Sequence, residues 1–213
     1  MTEYVTDEEQ VERIKKWWSD NGSSVIAGLV IGFGGLAGWR FWVDYQDNVA
    51  AEASRHFTDM VAALDASQHD DAIAQANVIL GDYSGTPYTD LARLSLAKVY
   101  VESGQFDEAA QQLKMLVDKT SEKELEMVAR SRLASVQMQL GKAADALATL
   151  DVDYPPQFAG VFEELKGDIH AAEGNKAAAR EAYQRARLAE PPVPDSQFLQ
   201  QKLDDIGGAS ASS

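Results

Sequence analysis

Between Asn21 and Trp39 the chain runs for 19 residues without a charged side chain. At about 1.5 Å per helical residue such a run covers roughly 28 Å, the thickness of a bilayer's hydrocarbon core. Nothing else in the sequence constrains the fold as strongly, because a backbone in lipid must satisfy its own hydrogen bonds and is helical or closed into a barrel. The whole apolar stretch, 22–43, reads GSSVIAGLVIGFGGLAGWRFWV. Arg40 stands near its end, where a long stem can carry the guanidinium to the interface. Trp39 and Trp42 are amphipathic aromatics suited to that level, and Trp17 and Trp18 mark the other side. Five glycines follow Gly22. Gly28, Gly32 and Gly35 fall on one helix face and let a second membrane helix approach closely.

Two other readings compete for this segment. Gly35-x-Ala37 supplies the small-x-small pattern of a signal-peptide cleavage site, but the leader would be about 37 residues long with an acidic start. Gly32-x-Gly34-x-x-Ala37 fits the dinucleotide fingerprint, with Glu52 about 20 residues on, but no second strand follows and Ala50 onward reads as helix. The anchor accounts for more of the residues. Arg13, Lys15 and Lys16 precede the span and Arg55 follows it, which predicts a cytoplasmic N-terminus and an external C-terminal part. Before the span, Thr6-x-x-Glu9 is a capping box, and Val11, Ile14 and Trp18 recur at helical spacing. That predicts a short amphipathic helix within 1–21, lying on the cytoplasmic leaflet in contact with lipid.

Of the formal charge of −15, residues 44–213 carry −13, from 15 basic and 28 acidic side chains. Such a field repels phosphate backbones and excludes nucleic acid as a partner. Cysteine is absent, so disulfides and thiolate chemistry are excluded too.

Beyond Asp44 the apolar spacing is helical throughout, and one frame returns three times. Leu96-Ala97-x-x-Tyr100, Gly104 and Ala109-x-x-x-Leu113 form the first set. Leu133-Ala134, Gly141 and Ala146-x-x-x-Leu150 form the second; Gly167-x-x-His170, Gly174 and Ala179-x-x-x-Tyr183 form the third. Small residues mark close helix crossings, large ones fill the gaps, and the glycine ends the first helix of each pair. This frame resembles the tetratricopeptide repeat over about 90–191. A fainter unit precedes it, with Phe57, Met60, Val61 and Leu64 on one helix, Ala72, Ala76 and Ile79 on the next, and Ser67 at the glycine position. Phe198, Leu199, Lys202, Leu203 and Ile206 suit a C-terminal capping helix. The sequence therefore predicts an all-α chain: segment 1–21, a transmembrane helix over 22–43, a helical-repeat solenoid over 44–206, and a disordered tail over 207–213.

No residues gather for catalysis. His56, His69 and His170 lie in three different units, and no Walker loop, nucleophile elbow or His-Glu-x-x-His motif occurs. Neither an enzyme nor a bound metal or cofactor is expected. Helical repeats instead offer a concave surface for a peptide. The frame directs Lys98 and Glu102, then Ser131, Ser135 and Gln139, then Glu164 and Asp168 into that groove.

The acidic start EQVERIKKWWSDNG, the Gly-rich span ending GWRFW and the repeat domain ending LQQKLDDI together resemble the YfgM family, an ancillary subunit of the bacterial SecYEG translocon. The resemblance implies an inner-membrane protein with a periplasmic repeat domain. It also implies partners: SecYEG, the membrane-anchored chaperone PpiD, and unfolded client proteins passed from the channel to periplasmic chaperones. No catalytic residue is carried over. A repeat scaffold for another envelope complex, or a soluble periplasmic protein released by cleavage, remains the alternative.

Overall fold

The computed structural model describes residues 7–193 and 195–208. Thr6 of the expected capping box, Pro194 and residues 209–213 of the expected tail lie outside them. Among the described residues the regular elements are all helical. They are α1 (Asp7–Asp65), α2 (His69–Asp82), α3 (Tyr88–Glu102), α4 (Phe106–Lys119), α5 (Lys123–Gln139), α6 (Ala143–Leu150), α7 (Ala159–Ala172), α8 (Lys176–Arg187) and α9 (Ser196–Gly208), with a 3-10 turn at Pro156–Phe158. The chain divides into two units, residues 1–52 and 53–213.

In the first unit the short N-terminal helix expected from the sequence is not a separate element; it is continuous with the span as part of α1. Asn21-Gly22 is the kind of pair that ends a helix, and two contacts explain why it does not. Asn21 donates from its side-chain amide to the Trp17 carbonyl at 3.0 Å, and the Trp18 indole covers Gly22, where an added Cβ would stand 3.2 Å from the ring. The apolar window has a mean hydropathy of 1.5 and is 6% buried. It is therefore not the core helix of a soluble domain, and its length and composition fit a transmembrane anchor.

The second unit is a row of antiparallel helix pairs. The last part of α1 pairs with α2, then come α3/α4, α5/α6 and α7/α8, with α9 packed on α8. Each apolar cluster joins consecutive helices. Met60, Ala63, Ala76, Ile79 and Leu96 link α1, α2 and α3; Ala97, Ala109, Leu113 and Leu133 link α3, α4 and α5. Met127, Ala146, Leu150, Phe162 and Ile169 link α5, α6 and α7, and Ala179, Tyr183, Ala186 and Leu199 link α8 to α9. Cohesion is thus between neighbours, as in a solenoid. The small residues expected at the crossings are all buried. The crossing of α7 on α8 is close enough that a Cβ on Gly167 would lie 2.3 Å from the Tyr183 ring. Val61 departs from expectation, being 37% exposed.

Every pair turns through the same device. Gly104, Gly141 and Gly174 have φ of 74°, 70° and 75°, and Ser67 has φ 56°. The next residue's N–H reaches back to the carbonyl five residues earlier: Gln68 to Ala63, Gln105 to Tyr100, Lys142 to Gln137 and Asn175 to His170, at 2.7–2.8 Å. The left-handed residue bonds three back, closing a Schellman motif. Ser67 is exposed and carries a left-handed strain of about 1 kcal/mol that glycine avoids. Ser67→Gly is therefore expected to stabilise the chain by about 0.5–1 kcal/mol, while Gly104→Ala destabilises it by about 1 kcal/mol or more. Thermal unfolding followed by circular dichroism checks both signs; a lower midpoint for Ser67→Gly would contradict the strain argument.

Candidate protein-binding groove

The first helices of successive pairs, α3, α5 and α7, line two adjoining concavities. One, of about 330 Å³, has Ala97, Lys98, Val101 and Glu102 of α3 on one side and Arg132, Ser135 and Val136 of α5 on the other, with Leu113 of α4 at its floor. The other, of about 240 Å³, lies between Ser131, Arg132 and Ser135 of α5 and Val161, Glu164, Leu165 and Asp168 of α7. Six of the seven groove residues named from the repeat frame line one or both. The seventh, Gln139, lies exposed at the end of α5 and lines neither. Arg132, which the frame passed over, lines both. The signal for it was its position three residues before Ser135, on the same helix face.

The acidic end expected at Glu164 and Asp168 is half offset by one cation from a later helix. Lys202 of α9 donates from its ammonium to Glu164 Oε1 and Asp168 Oδ2, both at 2.8 Å. Asp168 also accepts from the Tyr183 hydroxyl at 2.7 Å. Burial alone would lower the Lys202 ammonium, but Asp168 and Glu164 hold it above its ordinary value. Tyr183 is pushed up by burial and by Asp168 beside it. Lys98 and Glu102 form an ion pair at 3.7 Å across one turn of α3, and His69 Nε2 stands 3.8 Å from Glu102. Ser131 and Ser135 donate their hydroxyl protons to the Val128 and Ser131 carbonyls, at 2.9 and 3.0 Å.

Behind the groove a second polar cluster fixes α7 against α8. Glu163 is buried at 6% exposure and accepts from Tyr154 at 3.0 Å, from Lys166 at 3.0 Å and from Arg185 at 2.5 Å. Burial raises the Glu163 carboxyl, but Lys166 and Arg185 together hold it below the ordinary carboxylate value. Tyr154 is pushed up to about 12 by burial and by Glu163. No group of three metal-ligating side chains occurs among the described residues. The lining of the groove thus combines ion-paired side chains, Arg132, apolar hollows and hydroxyl oxygens.

In the first unit, Gly28, Gly32 and Gly35 have open space where a side chain would be. Trp17 with Trp18, and Trp39 with Trp42, form tilted ring pairs at 6.5 and 5.5 Å. Arg40 pairs with Asp44 at 3.3 Å.

Fold and groove together define a tetratricopeptide-like helical-repeat protein with, among the described residues, one helix fit by length and composition to cross a membrane. Residues 15–208 match the tetratricopeptide repeat-like domain family. A protein of Escherichia coli (strain K12), called "Ancillary SecYEG translocon subunit", is 32% identical over 203 residues, covering 95% of this chain and 98% of that one. Its counterpart in Haemophilus influenzae, under the same name, is 29% identical over 204 residues with the same coverage. The chain belongs to the family of ancillary SecYEG translocon subunits. A solved structure titled "Crystal structure of MamA protein" has a TM-score of 0.57 at 19% identity, covering 75% of this chain and 82% of that one; it supports the fold alone.

The Glu163 cluster supplies a pH test. A carboxyl depressed in the folded state contributes stability above its unfolded value of about 4.3, and loses it as pH falls through the folded value. Glu163→Gln is expected to cost about 1–3 kcal/mol at pH 7, lowering the unfolding midpoint of the detergent-solubilised chain. The gap between variant and wild type should close below about pH 4. A gap that persists at acid pH would contradict the role given to the charge.

Proposed function

We propose that this chain is a single-pass protein of the bacterial inner membrane that serves as an ancillary, non-enzymatic subunit of the SecYEG translocon. Residues 22–43 are the anchor, 1–21 are cytoplasmic, and the repeat domain over 44–206 works in the periplasm. There its groove holds segments of proteins emerging from the channel, and with a PpiD-like membrane-anchored chaperone it passes them on. Lipid contact is made by the span and its flanking tryptophans. The observation that carries this reading is the likeness, over 95% of the chain and therefore through the anchor as well as the repeats, to proteins named as ancillary translocon subunits. The open glycine face at Gly28, Gly32 and Gly35 supports it, because close approach of a second membrane helix needs such a face.

A photoreactive residue tests the contact directly. Placed at Gly28 or Gly32 in chain expressed at native level, it is expected to cross-link to channel subunits, whereas at Val30, on the opposite helix face, it is not. Repeated absence of channel products from the glycine positions would sink the translocon role. In inverted inner-membrane vesicles the repeat domain is expected to resist added protease; its digestion would reverse the orientation.

A further inference from the structure

Arg132 stands at the junction of the two groove concavities, exposed, and no carboxylate among the described residues pairs with it. Every other charged side chain lining the groove has an ion-pair partner: Lys98 and Glu102 pair with each other, and Glu164 and Asp168 share the single ammonium of Lys202. An unmatched guanidinium is unexpected in residues 44–213, where acids outnumber bases 28 to 15. Within one turn of it on α5 lie Ser135 and Val136. The Ser135 proton is already donated to the Ser131 carbonyl, so its oxygen remains as an acceptor. Val136 forms, with Ala97, Val101 and Leu113, the apolar wall of the larger concavity. Val101 is its exposed lip, at 38%.

An apolar hollow, a hydroxyl acceptor and a free guanidinium therefore stand side by side. Resting on the groove reading above, we infer that the part of the groove between α3 and α5 selects polypeptide segments in which an aliphatic or aromatic residue adjoins a carboxylate. The apolar side chain enters between Val101 and Val136, and the carboxylate accepts from Arg132 in the bidentate geometry that guanidinium favours. A backbone N–H of the segment donates to the Ser135 oxygen. Charge complementarity chooses this occupant, since a basic segment would set its cation against Arg132. The preference is local and runs against the long-range field, which draws basic chains to an acidic domain.

That opposition makes the test decisive. Fluorescence anisotropy on the full chain in nanodiscs compares two labelled synthetic peptides, identical except for Leu-Asp or Leu-Lys at the centre. The Leu-Asp peptide is expected to bind at least about tenfold more tightly, a difference of about 1.4 kcal/mol. Arg132→Glu should reverse that order, and Val101→Asp should weaken both peptides. Both positions are exposed, and unchanged unfolding midpoints confirm that the variants fold. Equal affinity for the two peptides, with both lost on Val101→Asp, would leave the groove reading standing and overturn the acidic preference. Failure of both peptides to bind the wild-type chain would overturn the groove reading and the acidic preference together.

Discussion

Four times the repeat domain leaves one helix through a single left-handed residue and enters the next with the same pair of backbone bonds, at Ser67, Gly104, Gly141 and Gly174. This turn is the constraint on which the domain depends. It satisfies helix-end carbonyls that burial would otherwise leave unpaired, and it returns the chain antiparallel at close range. Close range then dictates the residues at the crossing. Gly167 under the Tyr183 ring leaves no room for a methyl group, and Ala109 and Ala146 do the same service in the earlier pairs with both side chains fully buried.

From that crossing the groove follows in a short chain of contacts. Tyr183, fixed over Gly167, donates to Asp168. Asp168 shares Lys202 with Glu164, and Lys202 holds α9 against the end of the row. Packing of one helix pair therefore sets the position of the cap and offsets half of the acidic charge at that end of the concave face. The Lys202 ammonium lies 5.7 Å from the Tyr183 ring and 4.8 Å from the Phe198 ring, which keeps a half-exposed aromatic of α9 in place. A solenoid held by neighbour contacts needs such a closure, since its last apolar face has no further repeat to cover it.

Much of this was legible in the sequence because the informative residues act locally. The positive φ at Gly104, the helix crossing at Ala97 and Ala109, and even the glycine-like role of Ser67 follow from spacing alone. Continuity of α1 through Asn21-Gly22 was not legible, since it depends on where the Trp18 indole lies. Nor was the pairing of Glu164 and Asp168 with Lys202, 38 and 34 residues away. The frame marked which side of a helix faces the groove, but long side chains from a later helix decide which charges remain free there. Arg132 is informative for the same reason: its place is local, and its lack of a partner is a property of the assembled fold.

The energetics of the groove also suit the role proposed for it. Its two concavities are shallow, at about 330 and 240 Å³, and apart from Arg132 their charged side chains already have ion-pair partners, so little free energy is available from any one bound segment. A freely diffusing binder of that kind would be ineffective. In the proposed role, with the span fixing it beside a channel, the same surface would meet an emerging chain at the high effective concentration that tethering provides. Capture then needs no tight binding, and release to the next partner needs only a modest competing affinity. Glu163, Tyr154 and Arg185 keep the α7–α8 pair rigid behind the groove, so a weak ligand does not also have to order its receptor. A rigid, shallow and tethered surface is thus the physical form that a transient holding step requires.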